Sequence, residues 1–199
     1  MTRAQWTVVL GLLLFILIIF GVLLFQLQVP EASPTAPPPA FLLEEGARAR
    51  TVWPAAEQEA KAWQADAQLT AMSIVWDDLG PGGVFTRDRW SFEYYSPAQQ
   101  RLAVIRVVGG TAERLRTALT PNPVPGLALE KWVVDSTQAL DTWWKRGGGQ
   151  FVAQYPSVAI SLKLRTAPDG SRALWIVTGS SSGEHHVVQI DGETGEVVD

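Results

Sequence analysis

Residues Ser157 to Val198 hold three short apolar-rich runs bounded by turn residues, the first of which, Val158–Leu164, alternates apolar and polar side chains, and this pattern points to an antiparallel meander. Val158-Ala-Ile-Ser-Leu-Lys-Leu164 is the first expected strand, and Ala167-Pro-Asp-Gly170 is the turn after it. Ala173-Leu-Trp-Ile-Val-Thr178 is the second strand, followed by a polar loop, Gly179-Ser-Ser-Ser-Gly183. His186-Val-Val-Gln-Ile190 is the third, and Asp191-Gly-Glu-Thr-Gly195 closes it. Pro, Asp, Gly and Ser supply the backbone angles and local hydrogen bonds that reverse a chain, which is why they bound the runs.

A helix is expected just upstream. Asp135-Ser136 is an N-cap pair, because either side chain accepts from an unpaired first-turn N–H. Ala139, Leu140, Trp143 and Trp144 form its apolar face, and Gly147-Gly-Gly149 ends it, with Gln150 to Pro156 leading into the meander. The same order occurs earlier. Phe41 to Ala49 reads as a short helix, and Thr51-Val-Trp-Pro54 restarts the chain with Pro54 in a first helical turn. Ala56, Ala60 and Trp63 share one helical face. Strands are then expected at Thr70–Trp76, Arg89–Tyr95 and Arg101–Val108, with the loop Asp77–Gly83 and the turn Ser96–Gln100 between them. Gly109-Gly110 ends that meander; Thr111–Leu119 reads as a short helix, Pro121–Gly126 as a rigid connection and Leu127–Val134 as extended. Helix, strand, loop, strand, turn, strand therefore occurs twice, with Trp90 and Trp175 starting the two middle strands.

The N-terminus sets the location. Thr7 to Leu27 carries no charge, and about 20 such residues span the roughly 30 Å hydrocarbon layer as a helix. Its length and the poor cleavage context Gln26–Glu31 favour a retained anchor over a signal peptide. Arg3 before it and Glu31 after it put the N-terminus in the cytoplasm and the rest outside. Val29 to Ala40 holds five prolines in twelve residues, a semi-rigid spacer. The expected organisation is α+β: residues 1–28 a cytoplasmic stub and transmembrane helix, 29–40 a linker, 41–134 and 135–199 two helix-plus-antiparallel-meander units. Apolar residues at 47% against 18% charged allow such units a core. A net charge of −4 provides no basic stripe for nucleic acid, and the absence of cysteine excludes disulfides, thiolate metal sites and a lipid-bearing cysteine.

The closing pattern, Trp175-Ile-Val-Thr-Gly-Ser followed by His186-Val-Val-Gln-Ile-Asp-Gly-Glu-Thr-Gly-Glu-Val-Val198, resembles the end of a PepSY domain, with the preceding helix at the expected distance. The resemblance is good over residues 135–199 and weaker over 55–110. It implies cystatin-like units, each a helix packed on an antiparallel sheet, in a bacterial or archaeal protein acting outside the cytoplasmic membrane. PepSY modules occur in propeptides of secreted metallopeptidases and in membrane-tethered proteins, and a peptidase-regulating role has been proposed for them. The family supplies no catalytic residues. With no peptidase domain after residue 199, a regulated enzyme is expected to act in trans.

The polar residues read as structure rather than chemistry. Asp77-Asp78 lacks the alternating ligands of a calcium loop. His185 and His186, adjacent in a strand, point to opposite faces and cannot easily share a metal. Ser180-Ser-Ser182 lacks a nucleophile elbow. Asp191 is expected to bond its own turn beside Glu193 and Thr194, and Glu93, between Phe92 and Tyr94, to face solvent. Trp63, Trp90, Trp143 and Trp175 fit a helix-on-sheet core, with Trp53, Trp76 and Trp132 less clearly inside. No catalytic, cofactor or metal site is expected, and no enzyme activity. The expected function is a membrane-anchored extracytoplasmic binding or regulatory protein, working through a protein partner such as a peptidase. The alternative is a cell-envelope structural or glycan- or peptide-binding module that uses exposed tryptophans.

Overall fold

The structure, a computed structural model, describes residues 48–77, 89–155 and 157–198. The apolar run at residues 7–27, the Pro-rich stretch, the helix expected from Phe41 up to residue 47, and the loop from Asp78 to Gly83 lie outside these residues. Among the described residues, no helix is long and apolar enough to cross a membrane.

Helix α1 (Ala49–Trp63) is followed by strands β1 (Gln68–Trp76), β2 (Trp90–Ser96), β3 (Arg101–Val108) and β4 (Thr111–Leu119). Helices α2 (Ser136–Trp143) and α3 (Gly149–Gln154) come next, then β5 (Ala159–Thr166), β6 (Ala173–Ser181) and β7 (Glu184–Asp191). The seven strands form one antiparallel sheet in the order β4-β3-β2-β1-β5-β6-β7. The fold is therefore α+β, and the two meanders join edge to edge where β1 pairs with β5, from Ala71↔Arg165 to Trp76↔Ile160. That register puts Met72, Ile74 and Trp76 on the same face as Leu164, Leu162 and Ile160. Phe92 and Ile105 continue the face on one side, and Val177 and Val188 on the other. Both main helices cover it, α1 against β2, β3 and β4, and α2 against β6 and β7. One apolar cluster runs through both halves.

In α1 the buried positions are Ala49, Ala56 and Ala60, small enough for the helix to sit close on the sheet. The helix begins at Ala49, ahead of the expected restart at Thr51, so Pro54 lies within it and not in its first turn. The largest correction is β4. Thr111–Leu119 is a strand, not a helix, because Gly109 and Gly110 have φ of 55° and 77° and turn the chain instead of ending the meander. Two consecutive left-handed residues make the type I′ hairpin, whose twist matches that of the strands. Ser182 and Gly183, with φ of 47° and 87°, do the same between β6 and β7. The expected loop Gly179–Gly183 is therefore mostly strand.

Gly179 has a packing role. A Cβ there would lie 2.7 Å from the Trp143 indole. Gly148 is equally confined, its Cβ position lying 2.4 Å from the same ring. Gly147-Gly-Gly149 does stop α2, because Arg146 (φ −91°, ψ 28°) and Gly147 (φ 106°) leave the helical region and the left-handed glycine reverses the path. The chain then kinks into the short helix α3, where a simple lead-in was expected. Leu127–Val134 is irregular with a 3-10 turn at Leu129–Lys131, not extended, and Val133 and Val134 both donate to the Gly192 carbonyl.

The Trp143 indole fills the space that these glycines leave. Gly179→Ala should destabilise the protein by about 1–3 kcal/mol, the usual cost of overpacking a core. The urea midpoint of the full chain in detergent, followed by tryptophan fluorescence, measures it; an unchanged midpoint contradicts the packing role.

Candidate functional site

The polar feature that ties the two halves together lies where both main helices begin. Asp135 caps α2 through a capping box, its carboxylate accepting from the Gln138 N–H while Gln138 Oε1 accepts from the Asp135 N–H at 2.9 Å, and it also accepts from the Ser136 N–H at 2.8 Å. Arg48, at the start of α1, makes no side-chain cap. Instead Ser136 Oγ accepts from the Ala49 N–H at 2.9 Å, and Asp135 Oδ1 accepts from the Arg50 N–H at 3.4 Å. Two helix N-termini, each equivalent to roughly half a positive charge, thus meet at one carboxylate. Arg50 also donates to the Trp132 carbonyl and lies 5.2 Å above the Trp132 ring.

A groove of about 530 Å³ opens beside this junction, lined in part by Arg48, Thr137, Asp141, Thr142 and Thr194. Its polar groups are largely spent on the fold. Asp141 pairs with Lys145 at 2.6 Å, Gln138 completes the capping box, and Thr194 Oγ1 accepts from the Glu196 N–H at 3.2 Å. Sequence alone marked Asp135-Ser136 as the cap of α2. Its service to α1, 85 to 87 residues away, has no local signal.

The residues weighed from sequence do not converge. His185 lies on the helix-free face and bonds Ser180 Oγ at 3.0 Å. His186 lies on the helix-covered face, 3.0 Å from the Arg146 carbonyl and between the rings of Trp143 and Phe151. Their opposite facing is as expected for neighbours in a strand. Ser181 Oγ donates to the Ser157 carbonyl at 2.5 Å, and Ser182 occupies the turn. Asp191 Oδ1 accepts from the N–H groups of Glu193 and Thr194, as its turn role requires, and Oδ2 lies 3.5 Å from Arg172. Glu93 is on the helix-free face, 3.8 Å from Lys163. Asp77 is exposed at the end of β1, while Asp78 lies outside the described residues. Among the described residues, no three His, Cys, Asp or Glu side chains cluster as a metal site would need.

Most of the described tryptophans are interior. Trp76, Trp90, Trp132, Trp143, Trp144 and Trp175 are buried, and Trp53 and Trp63 are half-buried. Trp76 and Trp132 lie deeper than expected and Trp63 less deep. The described tryptophans do not form the exposed row that the alternative reading, a structural or glycan- or peptide-binding module, expected. Trp143 and Trp175 donate their indole N–H to the carbonyls of His186 and Val134. Trp53 Nε1, Trp132 Nε1 and the Tyr94 hydroxyl are buried without a hydrogen-bond partner. Trp53 and Trp132 meet edge to face at 5.7 Å. Burial, reinforced by the Glu57 carboxylate, pushes the Tyr94 phenol far above its ordinary value.

Comparison with known proteins adds little. No family model matches the chain, and no curated protein matches it. A crystal structure of a "putative lipoprotein" from Clostridium difficile 630 is similar at 13% identity and a TM-score of 0.49, over 74% of this chain and 90% of that one.

Two outcomes follow from this chemistry. Asp135→Ala should cost about 1–2 kcal/mol through lost capping, and Asp135→Asn, which still accepts, clearly less; urea midpoints rank the two, and equal losses contradict a hydrogen-bonded cap. Tyr94→Phe should change stability by no more than about 1 kcal/mol at neutral pH, because the buried hydroxyl it removes makes no well-formed hydrogen bond. A phenol raised in the folded state contributes stability below its ordinary value of 10.0 and loses it as pH rises above that, since only the unfolded chain ionises there. The variant's stability should therefore fall less steeply than the parent's in alkaline solution.

Proposed function

We propose that this chain is a membrane-tethered, extracytoplasmic binding protein that acts through contacts with another protein, with a peptidase regulated in trans as the favoured partner. The observation that carries this reading is the uneven use of the sheet. One face is committed to the helices and core. The other carries no helix among the described residues and shows Val75 and Val187 at 47% and 51% exposure, beside Glu93, Lys163 and Arg165. A sheet with one face and one edge uncovered among the described residues has backbone and side chains available for a partner, whereas His185, His186, Ser181, Asp135 and Asp191 are engaged in turns, caps and strand contacts. The apolar run Thr7–Leu27 and the proline-rich segment would hold that sheet outside the bilayer. In this reading the two halves are cystatin-like, PepSY-like units fused through β1 and β5, and the peptidase role comes from that resemblance alone.

The chain has no cysteine, so single substitutions report location cleanly. In intact cells, Gln99→Cys should react with a membrane-impermeant maleimide and Thr2→Cys only after permeabilisation; the reverse pattern overturns the topology. The intact protein in lipid nanodiscs should then change the activity of secreted peptidases from the same cells. No effect on any of them, together with no specific envelope partner, removes the regulatory reading.

A further inference from the structure

The sheet's two edges differ. At β7, Val197 bridges to Ile190 and the Val198 N–H donates to the Gln189 carbonyl, so the chain's own end covers part of that edge. At β4 no described strand pairs on the outer side. We infer that the β4 edge is a strand-addition site for an extended acidic segment of a partner protein, an inference that rests on the protein-contact reading and names its surface.

The backbone geometry comes first. In a hairpin with a two-residue turn, the pair next to the turn shares hydrogen bonds and the pairs then alternate. Val108↔Thr111 is that first pair, and the Thr120 N–H donating to the Gln100 carbonyl at 2.8 Å fixes the phase at the far end. The backbone groups of Ala112, Arg114, Thr117 and Leu119 therefore point outward, away from β3. Those of Thr117 and Leu119 form an uninterrupted stretch beyond the bulge at Leu115, where the register shifts between Val104 and Ile105. An extended peptide adds to such a row by main-chain hydrogen bonds, with side chains providing selectivity.

Charge then chooses the partner. The β3–β4 hairpin carries Arg101, Arg106, Arg114 and Arg116 against one carboxylate of its own, Glu113, and one from α1, Glu59, which is 3.7 Å from Arg114. This basic excess occurs in a chain whose net charge is −4. The register puts Arg106 and Arg116 toward the helix-free face and Arg114 toward the helix side. An added strand would meet positive charge on both of its faces, which acidic residues at alternating and flanking positions satisfy. Leu119, 66% exposed, offers apolar contact at the end of the row. A second copy of this chain fits poorly. A two-fold axis between antiparallel β4 strands must pass through a residue pair; centring it on Arg114, Leu115 or Arg116 sets arginine against arginine, which is destabilising, and centring it on Thr117 or Ala118 avoids that but pairs only the last few residues of the strand.

The test uses the full chain in nanodiscs and a fluorescein-labelled ten-residue peptide alternating glutamate with valine. Three comparison peptides accompany it: one with lysine for glutamate, one with the glutamates scrambled, and one N-methylated at alternate residues. Anisotropy should show the glutamate peptide binding, with affinity falling as salt rises, no binding by the lysine peptide, and at least tenfold loss on N-methylation. Arg116→Glu, an exposed substitution that leaves the fold intact, should weaken binding at least tenfold. Thr117→Pro, which removes one outward N–H at an edge where proline is tolerated, should do likewise. Amide hydrogen exchange should slow at Thr117 and Leu119 when peptide is bound.

Absence of binding, or binding indifferent to Arg116→Glu and to N-methylation, overturns the inference. So does self-association through this edge, seen in sedimentation and abolished by Thr117→Pro. If a peptidase or envelope partner is found whose binding neither variant alters, the β4 site is wrong while the protein-contact reading stands.

Discussion

Two helices that begin side by side need their first-turn N–H groups satisfied, and here one Asp-Ser pair does much of that work for both. Helix α1 brings no cap of its own. Its first N–H groups turn to Ser136 and Asp135, which already start α2. This arrangement fixes the two helix starts beside each other, on the face of the sheet where β1 and β5 join the halves. Removing the carboxylate would leave orphan donors at two helix ends and two positive helix ends uncompensated. The junction thus couples the halves through their helices as the β1·β5 pairing couples them through their strands.

How far the fold could be read from sequence depended on what each glycine was doing. The second meander is legible because Val158–Leu164 alternates and turn residues bound all three runs, and a register slip would turn the apolar residues of β5 to the other face. Asp135-Ser136 was legible as a cap because capping is local. Gly109-Gly110 and Gly179 depart from their local sequence signals in opposite senses. Gly109-Gly110 reads as the end of a meander and is a hairpin turn that feeds β4. Gly179 reads as a loop residue and is a strand position kept small for the Trp143 ring. Nothing near either position in sequence separates a turn glycine from a packing glycine, since the partner ring is 36 residues away. Thr111–Leu119 carries arginines, alanines and leucines that favour a helix, and tertiary pairing to β3 overrode that preference.

The tryptophans show the same limit from the inside. Their number suggested either a large core or an aromatic binding surface, and composition does not separate the two. Position in the register does: Trp90 and Trp175 fall on the helix-covered face, and Trp143 descends onto it from α2. Such rings bury large areas, which suits a sheet that, among the described residues, has helices on one side only. The cost is polar. Trp143 and Trp175 find carbonyl acceptors, but Trp53, Trp132 and Tyr94 do not. The unpaired groups sit close to α1 and the connecting segment, where Trp53 and Trp132 pack edge to face.

The exposed parts of the sheet then acquire meaning by contrast. A free edge invites pairing with other chains, and native proteins restrain it with bulges, charge or cover. The β7 edge is covered in part by Val197 and Val198. The β4 edge instead has a bulge at mid-strand and arginines on both faces. Cover closes an edge to every partner, whereas charge closes it selectively. The arginines oppose a second copy paired along the length of this strand and any basic segment, but they attract an acidic one. The features that protect β4 from self-pairing are therefore the ones that would set its specificity.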